Sequence, residues 1–229
     1  MELRNSVALV TGANRGLGRQ FAAQLLQRGA TKVYAAARNP DSVDLPGATP
    51  LRLDVTHRES IAHAAAVATD VTLLVNNAGI WTHARLTDGD ADQIRLEMET
   101  HYFGALGVTR GFAPILAANG GGAILNVLSV LSWLHVPEYG AYCAAKSAAW
   151  AMTNVIRQEL APSGIHVAAL HVGYMDTDMA AHGAPEEKID PAGVAAAALD
   201  GIEAGVTEIL ADDMSQNAKL SLAAVPVAG

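Results

Sequence analysis

The chain has 229 residues, 51% hydrophobic and 17% charged, with 15 Lys and Arg against 23 Asp and Glu for a formal charge of −8. This composition excludes a disordered chain, and an acidic chain without a Lys- or Arg-rich block is not expected to bind nucleic acid. The length predicts one domain, taken as residues 1–229. We expect no membrane span, because no run of about 18 apolar residues occurs. The single Cys143 has no internal disulfide partner, which predicts a reducing, cytoplasmic location.

Short apolar runs alternate along the chain with longer amphipathic stretches. The apolar runs predict strands at residues 7–10, 32–37, 50–53, 71–76, 123–128, 166–171 and 207–210. The amphipathic stretches predict helices at residues 16–28, 56–68, 90–117, 139–160 and 191–203, the second opening with a capping box of Thr56 and Glu59. Buried strands separated by helices are typical of a parallel sheet covered on both faces. The sequence therefore predicts an α/β fold, a single domain built on a doubly wound parallel sheet of about seven strands.

A glycine-rich segment, Thr11-Gly12-Ala13-Asn14-Arg15-Gly16-Leu17-Gly18, lies between the first predicted strand and the first predicted helix. Glycines permit a tight turn, and a helix N-terminus offers free N–H groups and the positive end of its dipole to a pyrophosphate. A plain strand–helix turn is the alternative, but the position between a strand and a helix favours phosphate binding. We expect the cofactor contacts of this loop to come from Gly12, Asn14, Arg15, Gly16, Leu17 and Gly18.

Three motifs together resemble the short-chain dehydrogenase/reductase family. The glycine-rich segment has the family's Thr-Gly-x-x-x-Gly-x-Gly pattern, and Asn76-Asn77-Ala78-Gly79 resembles its Asn-Asn-Ala-Gly motif. Tyr142 and Lys146 form Tyr-x-x-x-Lys, and Ser129 precedes Tyr142 by the family's spacing of 13 residues. The resemblance covers nearly the whole chain. It implies a Rossmann-type fold and an oxidoreductase that uses a nicotinamide cofactor.

Two arginines and a missing acid predict that this cofactor is NADP(H). An acidic residue about 20 positions past the glycines would bind the ribose 2′-hydroxyl of NAD(H). Counting 20 positions from Gly18 gives Arg38, and no acid occurs between Thr31 and Pro40. Arg38, together with Arg15 in the glycine-rich loop, is suited to a 2′-phosphate. The alternative is that both are solvated surface arginines.

The resemblance implies further cofactor contacts at the ends of other strands. Asp54, with Val55, follows the third predicted strand at the position where the family binds the adenine edge. Asn77, Ala78 and Gly79 would line the cofactor. Gly173 and Thr177 lie in Val172-Gly173-Tyr174-Met175-Asp176-Thr177, where the family has Pro-Gly-x-x-x-Thr and contacts the nicotinamide end. Val172 replaces the proline.

Tyr142 and Lys146 are four residues apart, which places them on one face of a helix, one turn apart. A phenol has a pKa near 10, and a nearby ammonium and a positively charged nicotinamide would lower it. By resemblance, Tyr142 is the general acid toward a carbonyl oxygen and Ser129 hydrogen-bonds that oxygen. Lys146 lowers the Tyr142 pKa and holds the nicotinamide ribose, so Tyr142 and Lys146 also contact the cofactor.

His101 departs from the family pattern. It occupies the position of the family's fourth catalytic residue, an Asn that holds a water of the proton relay behind the lysine. An imidazole both donates and accepts, so we consider His101 a candidate catalytic residue that holds that water or relays protons itself. The alternative is a helix histidine with satisfied hydrogen bonds and a less efficient relay.

The segments that follow the predicted strands contain mostly apolar and aromatic side chains, which suit a ketone or aldehyde with few charges as the substrate. The expected substrate-pocket residues are Trp81, Trp133, Tyr174 and Met175. A short substrate loop is expected at about residues 174–191. We expect no catalytic metal, because the histidines lack ligand spacing, and we expect His166 and His171 to face solvent or a neighbour.

We expect an NADP(H)-dependent carbonyl reductase that also oxidises secondary alcohols. The family's dimer helices correspond to the long helices at about residues 90–117 and 139–160, so a homodimer or homotetramer is expected. The alternative is a non-catalytic NADP(H)-binding sensor of the same fold. Retention of Ser129, Tyr142 and Lys146 together favours the enzyme.

Overall fold

The structure is a computed structural model that describes residues 1–176 and 188–222. Its strands are β1 Val7–Thr11, β2 Lys32–Ala37, β3 Thr49–Arg52, β4 Leu73–Asn76, β5 Gly122–Val127, β6 Ile165–His171 and β7 Glu208–Leu210. Its helices are α1 Gly16–Gln27, α2 Arg58–Val67, α3 Ala91–Met98, α4 Ala105–Ala118, α5 Gly140–Leu160, α6 Pro191–Glu203 and α7 Asp213–Ser221. The predicted strands and five predicted helical stretches are therefore present, with bounds that differ by a few residues.

All seven strands pair in parallel, in the order β3-β2-β1-β4-β5-β6-β7. The chain starts at β1 in the middle, builds outward to β3, and then crosses to β4 on the other side of β1. This confirms the doubly wound Rossmann-type sheet. The reversal of direction between β1 and β4 opens a crevice at the carboxyl ends of these strands, which is where ligands bind in such sheets.

Side chains that alternate along each strand build a core on both faces of the sheet. In β1, Ala8 and Val10 pack with α1 and α6, whereas Leu9 packs with α2, α4 and α5. Phe21 and Phe112 are fully buried, one in each layer. Because both faces are covered, the strands are apolar almost throughout, and this accounts for the high hydrophobic content of the chain.

The predicted helix at residues 90–117 is not continuous. A π-helical turn, Glu99–Gly104, separates α3 from α4 and contains His101. Helical periodicity persists through such a turn, so the sequence pattern did not reveal it. Insertions of this kind often lie at functional sites, and here the turn faces the crevice.

The predicted capping box of α2 is wrong. The helix begins at Arg58, and its N-cap residue is His57, whose side chain makes no capping hydrogen bond. The Thr56 hydroxyl donates instead to Asp54 Oδ1 at 2.7 Å. By contrast, α7 was not predicted, although Asp212 and Ser215 form a capping box at its start.

Candidate active site

A cleft of about 890 Å³ lies at the carboxyl ends of the strands, where the chain reverses direction between β1 and β4. The structure brings nearly all the expected site residues to its walls. Those at the expected cofactor positions are Gly12, Asn14, Arg15, Gly16, Leu17, Gly18, Arg38, Asp54, Val55, Asn77, Ala78, Gly79 and Gly173. Those at the expected reaction and substrate positions are His101, Ser129, Tyr142, Lys146, Trp81, Tyr174 and Met175. Thr177 lies outside the described residues, as do residues 178–187 of the expected substrate loop.

Hydrogen bonds tie the glycine-rich loop to the end of β4. The Thr11 hydroxyl accepts the backbone N–H groups of Asn77 and Ala78 at 2.9 and 3.0 Å. The Asn77 side-chain amide donates to the carbonyl oxygens of Thr11 and Gly12 at 2.9 and 3.3 Å. A Cβ atom on Gly18 would lie 2.2 Å from the Gly12 oxygen. Only glycine therefore permits this close approach of loop, helix and strand.

The N-terminus of α1 opens into the cleft without a side-chain cap. Arg15 is its N-cap residue and makes no capping hydrogen bond, and the first turn holds no acidic residue. Uncapped N–H groups together with the helix dipole form a ready site for a phosphate. Arg15 and Arg38 are both exposed at the rim of the cleft. This donor set fits a pyrophosphate with an additional phosphate near the two guanidinium groups.

Asp54 presents an ionised carboxylate at the edge of the cleft. Its Oδ1 accepts from the Thr56 N–H at 3.0 Å and from the Thr56 hydroxyl at 2.7 Å, and its Oδ2 lies 3.3 Å from His57 Nδ1. Burial opposes ionisation of Asp54, but the hydrogen bonds from Thr56 and His57 keep its pKa below the ordinary value. The carboxylate therefore remains an acceptor at neutral pH, beside Val55.

Ser129, Tyr142 and Lys146 meet at the floor of the cleft. Ser129 follows β5, its hydroxyl accepts the Leu131 N–H at 3.1 Å, and it lines the cleft together with Tyr142 on the first turn of α5. One turn later, Lys146 Nζ donates to the Val127 carbonyl oxygen at 2.8 Å and lies 5.4 Å from the centre of the Tyr142 ring. The sequence spacing therefore corresponds to a spatial cluster.

The charges of this cluster are strongly perturbed. Burial, with a further contribution from the negative charge of Glu97, raises the pKa of Tyr142 well above its ordinary value. Burial also lowers the pKa of Lys146 to about 8, an effect that Glu97 opposes. The protein's own residues thus keep Tyr142 in its protonated, acidic form. The expectation that Lys146 lowers the pKa of Tyr142 is therefore not met by the residues that the structure describes. A lower pKa would require a further positive charge bound beside the Tyr142 ring.

Glu97 is a residue of this site that sequence reasoning missed. It lies one helical turn before His101, and both side chains are buried, with 0% and 1% exposure. His101 Nε2 is 2.8 Å from the Ile80 carbonyl oxygen and 3.1 Å from Glu97 Oε2. The His101 ring meets the Tyr142 ring edge-on at 5.1 Å. The only signal in the sequence was the i, i+4 spacing of Glu97 and His101, which an exposed pair would share.

The far wall of the cleft is aromatic. The Tyr174 hydroxyl donates to the Tyr139 hydroxyl at 3.0 Å, and the Trp81 ring lies 4.9 Å from that of Tyr139. Trp81 also stacks on His83 at 3.7 Å. Tyr139 was not predicted, because it immediately precedes α5 and carries no motif. Its position beside Tyr174 adds a hydroxyl pair to the wall.

Trp133 is not in this wall, so its predicted place in the substrate pocket is wrong. Its ring is buried against Val130 and Ala218 and stacks on His171 at 3.7 Å. The short helical turn Val130–Ser132 carries Trp133 away from the cleft. His171 is fully buried rather than facing solvent, and its Nδ1 lies 3.1 Å from the Ser129 carbonyl oxygen.

A hydrogen bond holds the loop that follows β6. The Gly173 N–H donates to Asp212 Oδ2 at 2.7 Å, which fixes the loop after β6 to the start of α7.

Among the described residues, no group of three or more His, Cys, Asp or Glu side chains is placed to hold a metal ion. None of the helices in the described ranges has the length and apolar character needed to cross a membrane.

Known proteins with similar sequences are oxidoreductases by name. The chain is 32% identical over 196 residues to dehydrogenase/reductase SDR family member 7B of Rattus norvegicus; the match covers 77% of this chain and 60% of that protein. It is 30% identical over 223 residues to the uncharacterized oxidoreductase YbbO of Escherichia coli K12, covering 93% of this chain and 82% of that one. The chain thus spans about 60% of the length of the rat relative.

A solved structure of a short-chain dehydrogenase from Burkholderia cenocepacia J2315, in complex with NADP, has a similar fold and sequence. It is 40% identical, superposes with a TM-score of 0.94, and the match covers 98% of this chain and 95% of that one. The family model for short chain dehydrogenases matches residues 6–188, which include the glycine-rich loop and the Ser129, Tyr142 and Lys146 cluster. On this evidence, the chain belongs to the short-chain dehydrogenase/reductase family of oxidoreductases.

Proposed function

We propose that this chain is an NADP(H)-dependent carbonyl reductase, which interconverts a ketone or aldehyde and the corresponding alcohol. The observation that carries the proposal is the cluster of Ser129, Tyr142 and Lys146 in the cleft that also contains the uncapped α1 N-terminus. An acid, a hydrogen-bond donor and a cation beside a phosphate-binding helix are the parts that carbonyl reduction requires.

The residues around the glycine-rich loop support NADP(H) as the cofactor. Its pyrophosphate would lie against the N–H groups at the start of α1, and its 2′-phosphate between Arg15 and Arg38. Asp54 would accept hydrogen bonds from the adenine edge. A relative that is 40% identical was solved with NADP, which adds support. When bound, the nicotinamide would supply or accept the hydride at the substrate carbon.

Tyr142 would act as the general acid in the reductive direction. Its phenol is protonated at neutral pH, since a phenol ordinarily titrates near 10, and burial with the charge of Glu97 raises the pKa of Tyr142 further. The phenol O–H bond would break as its proton moves to the substrate oxygen, where negative charge develops. Ser129 would donate a hydrogen bond to the same oxygen. The Lys146 ammonium would stabilise the resulting phenolate from one turn further along α5.

The aromatic wall supports an apolar substrate. Trp81 and Tyr139, with Tyr174 and Met175, surround the open end of the cleft next to Tyr142. Such a surface favours a ketone or aldehyde that carries an apolar or aromatic group and few charges.

We further propose that the chain forms a homodimer or homotetramer and works in the cytoplasm. Phe103 and Val155 are 51% and 52% exposed near the helices α4 and α5, which supports self-association as a homodimer or homotetramer. Cys143 is buried, and burial raises the pKa of its thiol, so an unreactive cysteine in a reducing cytoplasm is consistent with the chain.

The activity can be tested by following the loss of NADPH absorbance with a panel of apolar, aromatic and charged ketones and aldehydes. We expect turnover of apolar and aromatic carbonyls, faster with NADPH than with NADH. Tight binding of NADPH without turnover of any member would overturn the reductase and favour the non-catalytic sensor. Parallel assays with secondary alcohols and NADP⁺ test the reverse direction.

A further inference from the structure

A carboxylate and an imidazole are buried together behind the reacting pair, and the proposed function does not require both. Glu97 Oε1 accepts from the Thr82 N–H at 2.7 Å. Its other oxygen, Oε2, lies 3.1 Å from His101 Nε2 without an aligned hydrogen bond. A buried charge is costly unless neighbouring groups compensate it. The burial of the Glu97 carboxylate therefore depends on the groups around it, the Thr82 N–H and the His101 ring.

The surroundings of His101 fix which ring nitrogen carries the proton. Nε2 faces two acceptors, the Ile80 carbonyl oxygen at 2.8 Å and Glu97 Oε2 at 3.1 Å. Within the described ranges, the one donor toward Nε2 is the Ile80 N–H, which is farther away, at 3.4 Å. Nε2 is therefore the protonated nitrogen of the neutral ring. Nδ1 then carries a lone pair, and it is buried without a hydrogen-bond partner in residues 1–176 and 188–222.

The ring is held tightly against the reaction site. A Cβ atom on Gly79 would lie only 2.7 Å from His101 Cε1, so the imidazole fills the space that this glycine leaves open. His101 lines the cleft and meets the edge of the Tyr142 ring at 5.1 Å. The π-helical turn, Glu99–Gly104, places His101 at this wall.

The charged groups around His101 come from two helices. Glu97 lies on α3, and Lys146 and Tyr142 lie on α5. Burial and the charge of Lys146 lower the pKa of His101, and Glu97 opposes both effects. The resting imidazole is therefore neutral, and the carboxylate makes a transient imidazolium easier to form.

We propose that Glu97 is a positioning residue that fixes the Nε2–H form of His101, so that His101 Nδ1 relays the proton that Tyr142 exchanges in the reaction. This inference rests on the proposed function. In reduction, Tyr142 loses its proton to the substrate oxygen. A proton that enters through the cleft binds His101 Nδ1. The imidazolium then gives this proton to the Tyr142 phenolate oxygen, which restores the phenol and the neutral imidazole. In oxidation, the proton moves the opposite way. The Glu97 carboxylate, 3.1 Å from Nε2, balances the charge of the transient imidazolium.

The first test measures the resting protein without cofactor or substrate. Nitrogen-15 NMR of the imidazole distinguishes the two tautomers, and we expect the Nε2–H form for His101 in the wild type. In Glu97→Gln, the amide keeps an acceptor for Thr82 but loses the charge, so we expect this preference to weaken. A wild-type His101 in the Nδ1–H form would overturn the proposal even if the variant does not fold.

The second test uses the pH profile of carbonyl reduction. In Glu97→Gln we expect kcat to fall by about tenfold. The limb of the profile that belongs to His101 should move to lower pH, because the carboxylate no longer raises the imidazole pKa. The matched control is Glu99→Gln, which removes the same charge from an exposed side chain two residues after Glu97, on the π-helical turn that carries His101, and should behave as wild type.

A double variant separates relay from packing. His101→Asn should remove the imidazole limb of the pH profile, and adding Glu97→Gln to it should then change the profile no further. An equal loss from Glu97→Gln with and without His101 would make Glu97 merely structural and overturn the proposal. If the wild type reduces no carbonyl at all, the proposed function is wrong. The tautomer measurement still tests whether Glu97 fixes the Nε2–H form of His101.

Discussion

His171 lies directly behind Ser129, with its Nδ1 3.1 Å from the Ser129 carbonyl oxygen. The imidazole is fully buried and stacks on Trp133 at 3.7 Å. Its other nitrogen lies 3.5 Å from Glu208 Oε1, and Lys219 on α7 pairs with the same carboxylate group. The last helix of the described chain is thereby connected to the floor of the cleft.

This arrangement predicts a loss of stability in mild acid. Burial lowers the pKa of His171 to about 4, whereas an unfolded histidine titrates near 6.5. Between these values the unfolded chain binds a proton that the folded chain does not. Stability should therefore fall as pH decreases from about 6.5 to about 4, by up to about 3 kcal/mol from this group.

Urea unfolding at several pH values measures this effect. In His171→Gln the slope between pH 6.5 and 4 should become shallower than in the wild type. His166→Gln is the matched control, because His166 lies on the same strand but is only half-buried. A slope that is the same in wild type and His171→Gln would contradict the assigned burial of a neutral imidazole.

Gly18→Ala should disrupt the phosphate loop. The new methyl group would lie 2.2 Å from the Gly12 oxygen and 2.5 Å from Asn77 Nδ2. We expect a loss of about 1–3 kcal/mol of unfolding free energy and weaker NADPH binding. Thermal unfolding and fluorescence titration measure the two effects.

Gly193→Ala is the control for Gly18→Ala. Gly193 lies in α6 at an exposed position, and a Cβ there meets no atom within 4 Å. Alanine in a helix is favoured over glycine by about 0.5–1 kcal/mol, so this variant should be slightly more stable. If Gly18→Ala bound NADPH as tightly as the wild type does, the glycine-rich loop would not bind the phosphates of the cofactor.

Replacing Arg15 and Arg38 together by alanine should change the cofactor preference. Each charge-assisted hydrogen bond to a phosphate contributes about 1.5–3 kcal/mol, so we expect NADPH to bind roughly 100-fold more weakly. NADH has no 2′-phosphate, and its Kd should change little. Arg110→Ala removes the same charge from an exposed position on α4 and serves as the control. Equal losses for both cofactors would refute the assignment of NADP(H).

The fold and most of the site could be predicted because their signals are local. Apolar runs locate buried strands, and strands separated by helices specify a parallel sheet. The carboxyl ends of such strands share one edge, so Gly12, Asn77 and Ser129 had to lie near one another. The spacing of Tyr142 and Lys146 gave one helix face directly.

The parts that could not be predicted depend on which way a side chain turns after its element ends. Trp133 follows a short helical turn that carries it toward Ala218 instead of into the cleft. Thr56 bonds Asp54 rather than capping α2. The buried position of Glu97 depends on Thr82 and His101, which the chain brings together only in three dimensions.

Tyr142→Phe removes the phenol hydroxyl that would donate the proton to the substrate oxygen. The comparison measures kcat for reduction of an apolar ketone and the Kd for NADPH in wild type, Tyr142→Phe and Tyr102→Phe. Tyr102 is half-buried in the core layer away from the cleft, so its variant controls for the loss of a hydroxyl group. We predict that Tyr142→Phe lowers kcat by roughly 10²–10⁴-fold. It should raise the Kd for NADPH by less than about tenfold, because one lost hydrogen bond costs about 1 kcal/mol, and Tyr102→Phe should alter neither quantity. A Tyr142→Phe variant that keeps most of the wild-type kcat would contradict the assignment of Tyr142 as the general acid.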